Sequence, residues 1–206
     1  MCYNVDGGMN MIKKLFGKLH YNSPVILTYA LLSLLALLLN IITGGWSNRE
    51  IFTVYRTSFL DPMQYVRLIT HVIGHSGYGH FLRNFTIILL VGPMLEEKYG
   101  SKQLLKMILF TAVLTGLIQV IFFHPTGLLG ASGIAFMLML LTSFANIEKG
   151  KIPLTVILVA VIYLSGEVAD GLLKKDNISQ MGHIIGGLCG CLFGWAITKP
   201  KKAESQ

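Results

Sequence analysis

Long apolar runs, set apart by short polar connections, constrain this chain more than any other feature. They cover residues 24–43, 79–96, 103–123, 130–147, 152–170 and 180–198. At roughly 1.5 Å rise per residue, helices of this length cross most or all of a bilayer core. Inside lipid every backbone polar group must be satisfied within the structure, which leaves helices or a closed barrel. Continuous apolar runs of this length read as helices. Charged residues make up only 13% of the chain, against about 25% in soluble domains. The expected fold is therefore all-α, a polytopic membrane protein with six transmembrane helices.

We read one membrane domain over residues 24–198. A short, basic cytoplasmic segment (1–23) precedes it and a cytoplasmic tail (199–206) follows. The first apolar run is too long for a signal-peptide core and has no small-residue cleavage site, so it is expected to be retained. Within the first segment, residues 11–19 mix lysines with apolar side chains and suit an anionic surface. Met9 and Met11 are alternative starts. No soluble accessory domain, internal repeat or low-complexity tract is evident.

The net charge of +7 does not point to nucleic acid. The basic residues lie mostly in short connections, with no basic helix face or nucleic-acid motif. Their distribution sets the orientation instead. Lys13, Lys14, Lys18, Lys98, Lys102, Lys149, Lys151, Lys199, Lys201 and Lys202 fall on one side, and Arg49, Arg56, Arg67, Lys174 and Lys175 on the other. The richer side is cytoplasmic by the positive-inside rule, so both termini are expected there, in a multi-pass protein of the cell membrane. Cys2, Cys189 and Cys191 make no disulfide framework.

The connection over residues 44–78 is long for a loop, and long ordered loops are often functional. Its Trp46, Phe52, Tyr55, Phe59 and Tyr65 suit a membrane interface. Short helices lying partly in the outer leaflet are expected.

Several polar residues lie where a bilayer should exclude them. His80 and Asn84 are four apart near the start of the second run, so they share one helix face. Arg83 points elsewhere and can snorkel to the headgroups. A lone pair of this kind commonly does no more than bond helices together. The sixth run carries Gly182, Gly186, Gly190 and Gly194, a four-residue repeat that makes a smooth face for close helix approach. Gly187 and Cys191 extend that small surface. His183 rises from the same side. Considered alone, it reads as a buried histidine bonded to a carbonyl.

The fourth run opens on Gly130-Ala131-Ser132-Gly133, after the polar turn His124-Pro125-Thr126-Gly127. By the topology above, Ser132, His80, Asn84 and His183 lie at one depth near the outer face. A serine needs an adjacent base to become a useful nucleophile. His183 can be that base if the glycine-laddered helix packs against the fourth. Amide hydrolysis also needs donors for a developing oxyanion. The Ser132 N–H lies at a helix start, where amides lack intrahelical partners, and His80 and Asn84 can add side-chain donors. Phe136 is one turn beyond Ser132, placed to pack against an imidazole.

With these residues in view, the chain resembles the rhomboid family of intramembrane serine proteases. Gly130-Ala131-Ser132-Gly133 matches the family's G-x-S-G. His80 and Asn84, preceded by His75, match the histidine-rich start of its second span. Gly182-His183-Ile184-Ile185-Gly186 matches the last-helix histidine followed by glycine. Residues 96–100, from Glu96 to Gly100, resemble the acidic-x-x-x-Gly turn after the second span. The resemblance covers residues 24–198 and includes the six-span plan. It departs in two places. Val66 stands before Arg67 where the family often has Trp-Arg, and Gly182 stands where alanine is common.

The resemblance implies a rhomboid-like bundle and a serine-type endopeptidase that cuts transmembrane protein substrates in or beside their membrane segments. Ser132 would be the nucleophile and His183 the base, then the acid. His80, Asn84 and the Ser132 N–H would form the oxyanion hole. Gly130, Gly133, Phe136 and Gly186 would support them. The proposed chemistry needs neither cofactor nor metal. His71 and His75 are four apart but lack the H-E-x-x-H pattern, because Val72 follows His71; a structural role in the connection is expected. Glu167 and Asp170 are read as interfacial, and His20 and His124 as loop or interface residues. The expected partners are the lipid bilayer and the substrate, with no nucleic acid and no oligomeric state assigned. Two other classes stay open. One is a non-catalytic rhomboid-like escort of membrane clients, against which both serine and histidine are present. The other is a small channel or transporter, against which the polar residues do not thread to the cytoplasmic side.

Overall fold

A computed structural model describes residues 20–144, 154, 157, 158, 161 and 177–198. Six α-helices are described: α1 (Pro24–Ile42), α2 (Pro62–Thr70), α3 (Tyr78–Tyr99), α4 (Ser101–Phe122), α5 (Ser132–Ser143) and α6 (Asn177–Thr198). A π-helical turn, Asn48–Phe52, lies between α1 and α2. Among the described residues there is no strand, only an isolated antiparallel bridge between Val54 and Leu128. The chain folds as a helical membrane bundle. Most of the fifth expected span (152–170), the segments 1–19 and 199–206, and both Glu167 and Asp170 lie outside the described residues.

Among the described residues, three helical stretches are long and apolar enough to cross a membrane: Pro24–Ile42, Ser101–Phe122 and Gln180–Ile197. The α3 helix is long enough but carries His80, Arg83, Asn84, Glu96, Glu97 and Lys98. The α5 helix is described over only 12 residues. It begins two residues later than its apolar run, because Gly130 adopts φ 129°, a conformation that suits glycine and interrupts a helix. Conversely, α6 begins three residues before its run. Large apolar side chains face outward on α1, α3 and α4, with Leu90 78% and Phe122 71% exposed. In a bilayer those faces meet acyl chains.

The α5 helix lies at the centre. Ile134, Ala135, Met137, Leu138 and Leu141 are fully or almost fully buried, and α3, α4 and α6 all pack on it. Around it the core draws on Ile26 of α1, Phe85 and Ile88 of α3, and Leu104 and Met107 of α4. Such a helix is apolar on all sides because it has no solvent face.

The α1 and α3 helices are joined through Glu96. Its carboxylate accepts from the backbone N–H groups of Val25 and Ile26, both at 3.0 Å, and from Ser101 Oγ at 2.7 Å. It thus caps the start of another helix, where orphan amides and the helix dipole favour an anion. Gly100, at φ 80°, then turns the chain directly into α4. This is the physical content of the acidic-x-x-x-Gly pattern. Glu96→Ala leaves one buried and one half-buried amide unpaired and should destabilise the protein by about 2–4 kcal/mol. A lowered thermal unfolding midpoint in detergent micelles checks this, and Glu96→Gln should be intermediate.

The connection between α1 and α3 contains short helical segments, as expected: α2 and the π-helical turn. Arg67 on α2 is 3% exposed. Its Nε donates to the Glu50 carbonyl at 2.8 Å, its guanidinium pairs with Asp61 at 3.4 Å and Glu50 at 3.6 Å, and the Tyr55 ring covers it at 4.6 Å. Phe59, Leu60 and Tyr65 remain exposed beside this scaffold.

Candidate active site

The entry to α5 is tied by its own backbone to the connection between α1 and α3. Gly130 N–H donates to the His71 carbonyl at 2.9 Å. Ala131 N–H donates to His75 Nε2 at 3.4 Å. The first bond within the helix is Ala135 N–H to the Ala131 carbonyl, at 2.9 Å. The amides of Ser132, Gly133 and Ile134 therefore sit at the helix start with no intrahelical acceptor. The two amides before Ser132 are committed elsewhere, which sets the direction of the peptide that follows.

His71 and His75 hold that connection in place, as a structural role required. The Nδ1 of His71 bonds to the Arg67 carbonyl at 3.1 Å and its Nε2 to Thr115 Oγ1 at 3.2 Å. For His75, Nδ1 bonds to the Ile73 carbonyl at 3.0 Å, and Asn48 donates to the His75 carbonyl at 2.9 Å. Both rings pair one nitrogen with a carbonyl, so Nδ1 carries the proton. The His75 Nε2 must then be a bare acceptor for Ala131. A second proton there would oppose the Ala131 N–H.

Burial lowers the pKa of each of these histidines from 6.5 to about 4, and for His75 the neighbouring His80 adds to the effect. Between these values the unfolded chain binds protons that the folded chain refuses. Stability from both residues is complete above pH 6.5 and lost as pH falls toward 4. We expect stability to fall across that window by on the order of 1 kcal/mol per pH unit for each histidine, read as a falling thermal midpoint in micelles. His75→Gln should remove its share of the slope.

His80 and Asn84, on the first two turns of α3, converge on the same place. A Cβ built on Gly130 would lie 2.8 Å from His80 Nε2 and 3.8 Å from Asn84 Nδ2. Only glycine leaves that space open. Asn84 is buried, and its Nδ2 has no hydrogen-bond partner within the protein. A buried amide donor left without a partner is costly unless something at the site accepts from it.

On the other side, α6 meets the same turn. The ladder expected from Gly182, Gly186, Gly190 and Gly194 is the packing face. A Cβ on Gly186 would lie 2.7 Å from the Gly133 carbonyl carbon and 2.9 Å from its Cα. Further along, Gly190 faces the Met137 backbone and Gly194 faces Phe144. Gly133 reciprocates, since a Cβ there would lie 3.1 Å from the Gly182 carbonyl oxygen. Here the rings of His183 and Phe136 stack at 4.5 Å with 7° between their planes. The α5 turn that begins with Ser132 thus lies between α3, with His80 and Asn84, and α6, with His183.

Ser76 is a neighbour that sequence reading missed. Its Oγ lies 3.0 Å from His80 Nδ1. The available signal was its spacing, four residues before His80 at a helix entrance.

The family model for the Rhomboid domain matches residues 62–200. Rhomboid protease GluP of Bacillus subtilis is 30% identical over 192 residues, covering 88% of this chain and 36% of GluP. Rhomboid protease GlpG of Haemophilus influenzae is 23% identical over 144 residues, covering 66% of this chain and 71% of GlpG. The chain spans about a third of the length of GluP.

Proposed function

This chain belongs to the rhomboid family, and we propose that it is a serine endopeptidase acting inside the membrane through Ser132 and His183. The observation that carries this reading is the convergence of α3 and α6 on the first turn of α5. An imidazole and an unpartnered amide approach Gly130 from one side, and a second imidazole stacks on Phe136 from the other.

In the proposed reaction, Ser132 Oγ attacks the scissile carbonyl while His183 takes its proton. The carbonyl oxygen becomes an oxyanion held by the Ser132 N–H, His80 and Asn84. Collapse breaks the C–N bond, and His183 returns the proton to the leaving amine. Water, with His183 again as base, then hydrolyses the acyl-enzyme. Phe136 fixes the plane of the His183 ring. Gly130 leaves room for the oxyanion donors, and Gly133 and Gly186 let α6 come close enough.

The proposed substrates are proteins with a transmembrane segment. A substrate helix must release its carbonyls from internal hydrogen bonds before they can react, so helix-weakening and small residues near the cut are favoured. The six-span plan, cytoplasmic termini and cell-membrane location complete the reading, with lateral substrate entry past the fifth span or the segment 170–180. The test is purified protein in liposomes with a single-span substrate carrying such a weakened segment. Two fragments cut at the membrane segment are expected from the wild type, and intact substrate from Ser132→Ala. Equal cleavage by both proteins would overturn the reading.

A further inference from the structure

An oxyanion donor made from a neutral imidazole works only if the proton sits on the nitrogen that faces the substrate. His80 has its Nε2 side turned toward Gly130 and its Nδ1 side turned toward Ser76. Which nitrogen of a histidine is protonated is set by the hydrogen bond the other one makes. A hydroxyl can serve either tautomer, because it donates and accepts. The two arrangements are not equivalent here. With the proton on Nδ1, a bare Nε2 lone pair would face the space beside Gly130 and repel an anion there. With the proton on Nε2, the Ser76 hydroxyl donates to Nδ1, and the Nε2–H points into that space. Negative charge at Nε2–H strengthens the Ser76 bond in turn, since linked hydrogen bonds polarise one another.

We propose that Ser76 is a positioning residue that holds His80 in the tautomer with its proton on Nε2. Ser76 precedes α3, two residues before its first residue Tyr78, and reaches forward to His80 in the first turn. The His75 ring meets His80 edge-on, with centroids 5.1 Å apart and planes at 66°. His75 therefore limits ring tilt while Ser76 decides the proton. Through these two neighbours the connection between α1 and α3 acts on both kinds of oxyanion donor: His75 orients the backbone before Ser132, and Ser76 sets the side chain of His80. The inference rests on the function proposed above for its catalytic consequence, but the tautomer itself does not depend on activity.

The test pairs a spectroscopic and a kinetic measurement on the full chain in micelles. Nitrogen-15 spectra of histidine-labelled protein distinguish the tautomers, with the His80 signals identified by their loss in His80→Gln. The wild type should show protonated Nε2 and bare Nδ1 at His80, and Ser76→Ala should show a mixture. Ser76→Ala should lower kcat about 3- to 10-fold, the range of one lost hydrogen bond, with KM little changed. Ser76→Thr keeps the hydroxyl and should restore both readouts. Ser76 is exposed, so its variants should unfold at the wild-type temperature. Protonated Nδ1 in the wild type, an unchanged tautomer in Ser76→Ala, or Ser76→Thr no better than alanine would overturn the proposal. If the wild type cleaves nothing, the proposed function fails while the spectra still decide the tautomer.

Discussion

Cleavage of a membrane substrate should fall by about 10³-fold or more when either Ser132 or His183 is replaced by alanine, with the double variant scarcely worse than either single one. Removing the serine leaves no nucleophile for His183 to activate. Removing the imidazole leaves a hydroxyl that is a poor nucleophile near neutral pH. Residues that act as one unit lose their function together, so their effects do not add. KM should change little if both groups act in the transition state and not in substrate binding. Ser132→Ala removes one oxygen and should leave folding intact. His183→Ala removes a ring stacked on Phe136, so its unfolding midpoint must be measured beside its activity. A double variant with the product of two independent losses would argue against a coupled pair.

Gly186→Ala should be the most damaging small substitution in the bundle. The added methyl would lie 2.7 and 2.9 Å from backbone atoms of Gly133, closer than any real contact. Backbone cannot swing aside as a side chain can, so α5 and α6 must separate. Overpacking of this kind costs on the order of 3 kcal/mol. The same separation moves the His183 ring relative to the first turn of α5, and a shift of about 1 Å at a catalytic centre can cost 10²-fold in rate. Two neighbouring glycines provide the contrast. A methyl on Gly187 meets the end of the Leu140 side chain at 3.0 Å, which can give way. A methyl on Gly182 meets only Leu128 side-chain carbons at 3.4 and 3.6 Å, ordinary contact distances. Gly182→Ala should therefore be neutral or stabilising by up to about 1 kcal/mol, the helix-propensity difference. That explains how alanine is accommodated at this position in the resemblance noted from sequence. Thermal midpoints and cleavage rates of the three variants should rank in that order.

The ladder on α6 was legible because helix periodicity is local: residues four apart share a face whatever they pack against. His80 with Asn84 was legible for the same reason. The helix start expected at Ser132 is where α5 begins; the apolar run starts two residues earlier because hydropathy does not register a positive φ at Gly130. The anchoring of that turn was harder still. Gly130 bonds to His71 and Ala131 to His75, contacts across more than 50 residues of chain that no local pattern encodes. His71 and His75 drew attention by their type, but their use as acceptors for particular amides is tertiary. Ser76 was passed over because a serine beside a turn has many ordinary explanations. The Glu96 cap combined both cases: its turn came from the family resemblance, while its partners on α1 belong to another helix.

Covalent labelling by a fluorophosphonate probe, mapped by mass spectrometry, tests the central claim most directly. Such a probe reacts with an activated serine and reports no other part of the mechanism. Labelling of the wild-type protein is predicted at Ser132, and it should be lost in His183→Ala while that variant remains folded. Labelling at a different residue, or undiminished labelling of Ser132 without His183, would contradict the account.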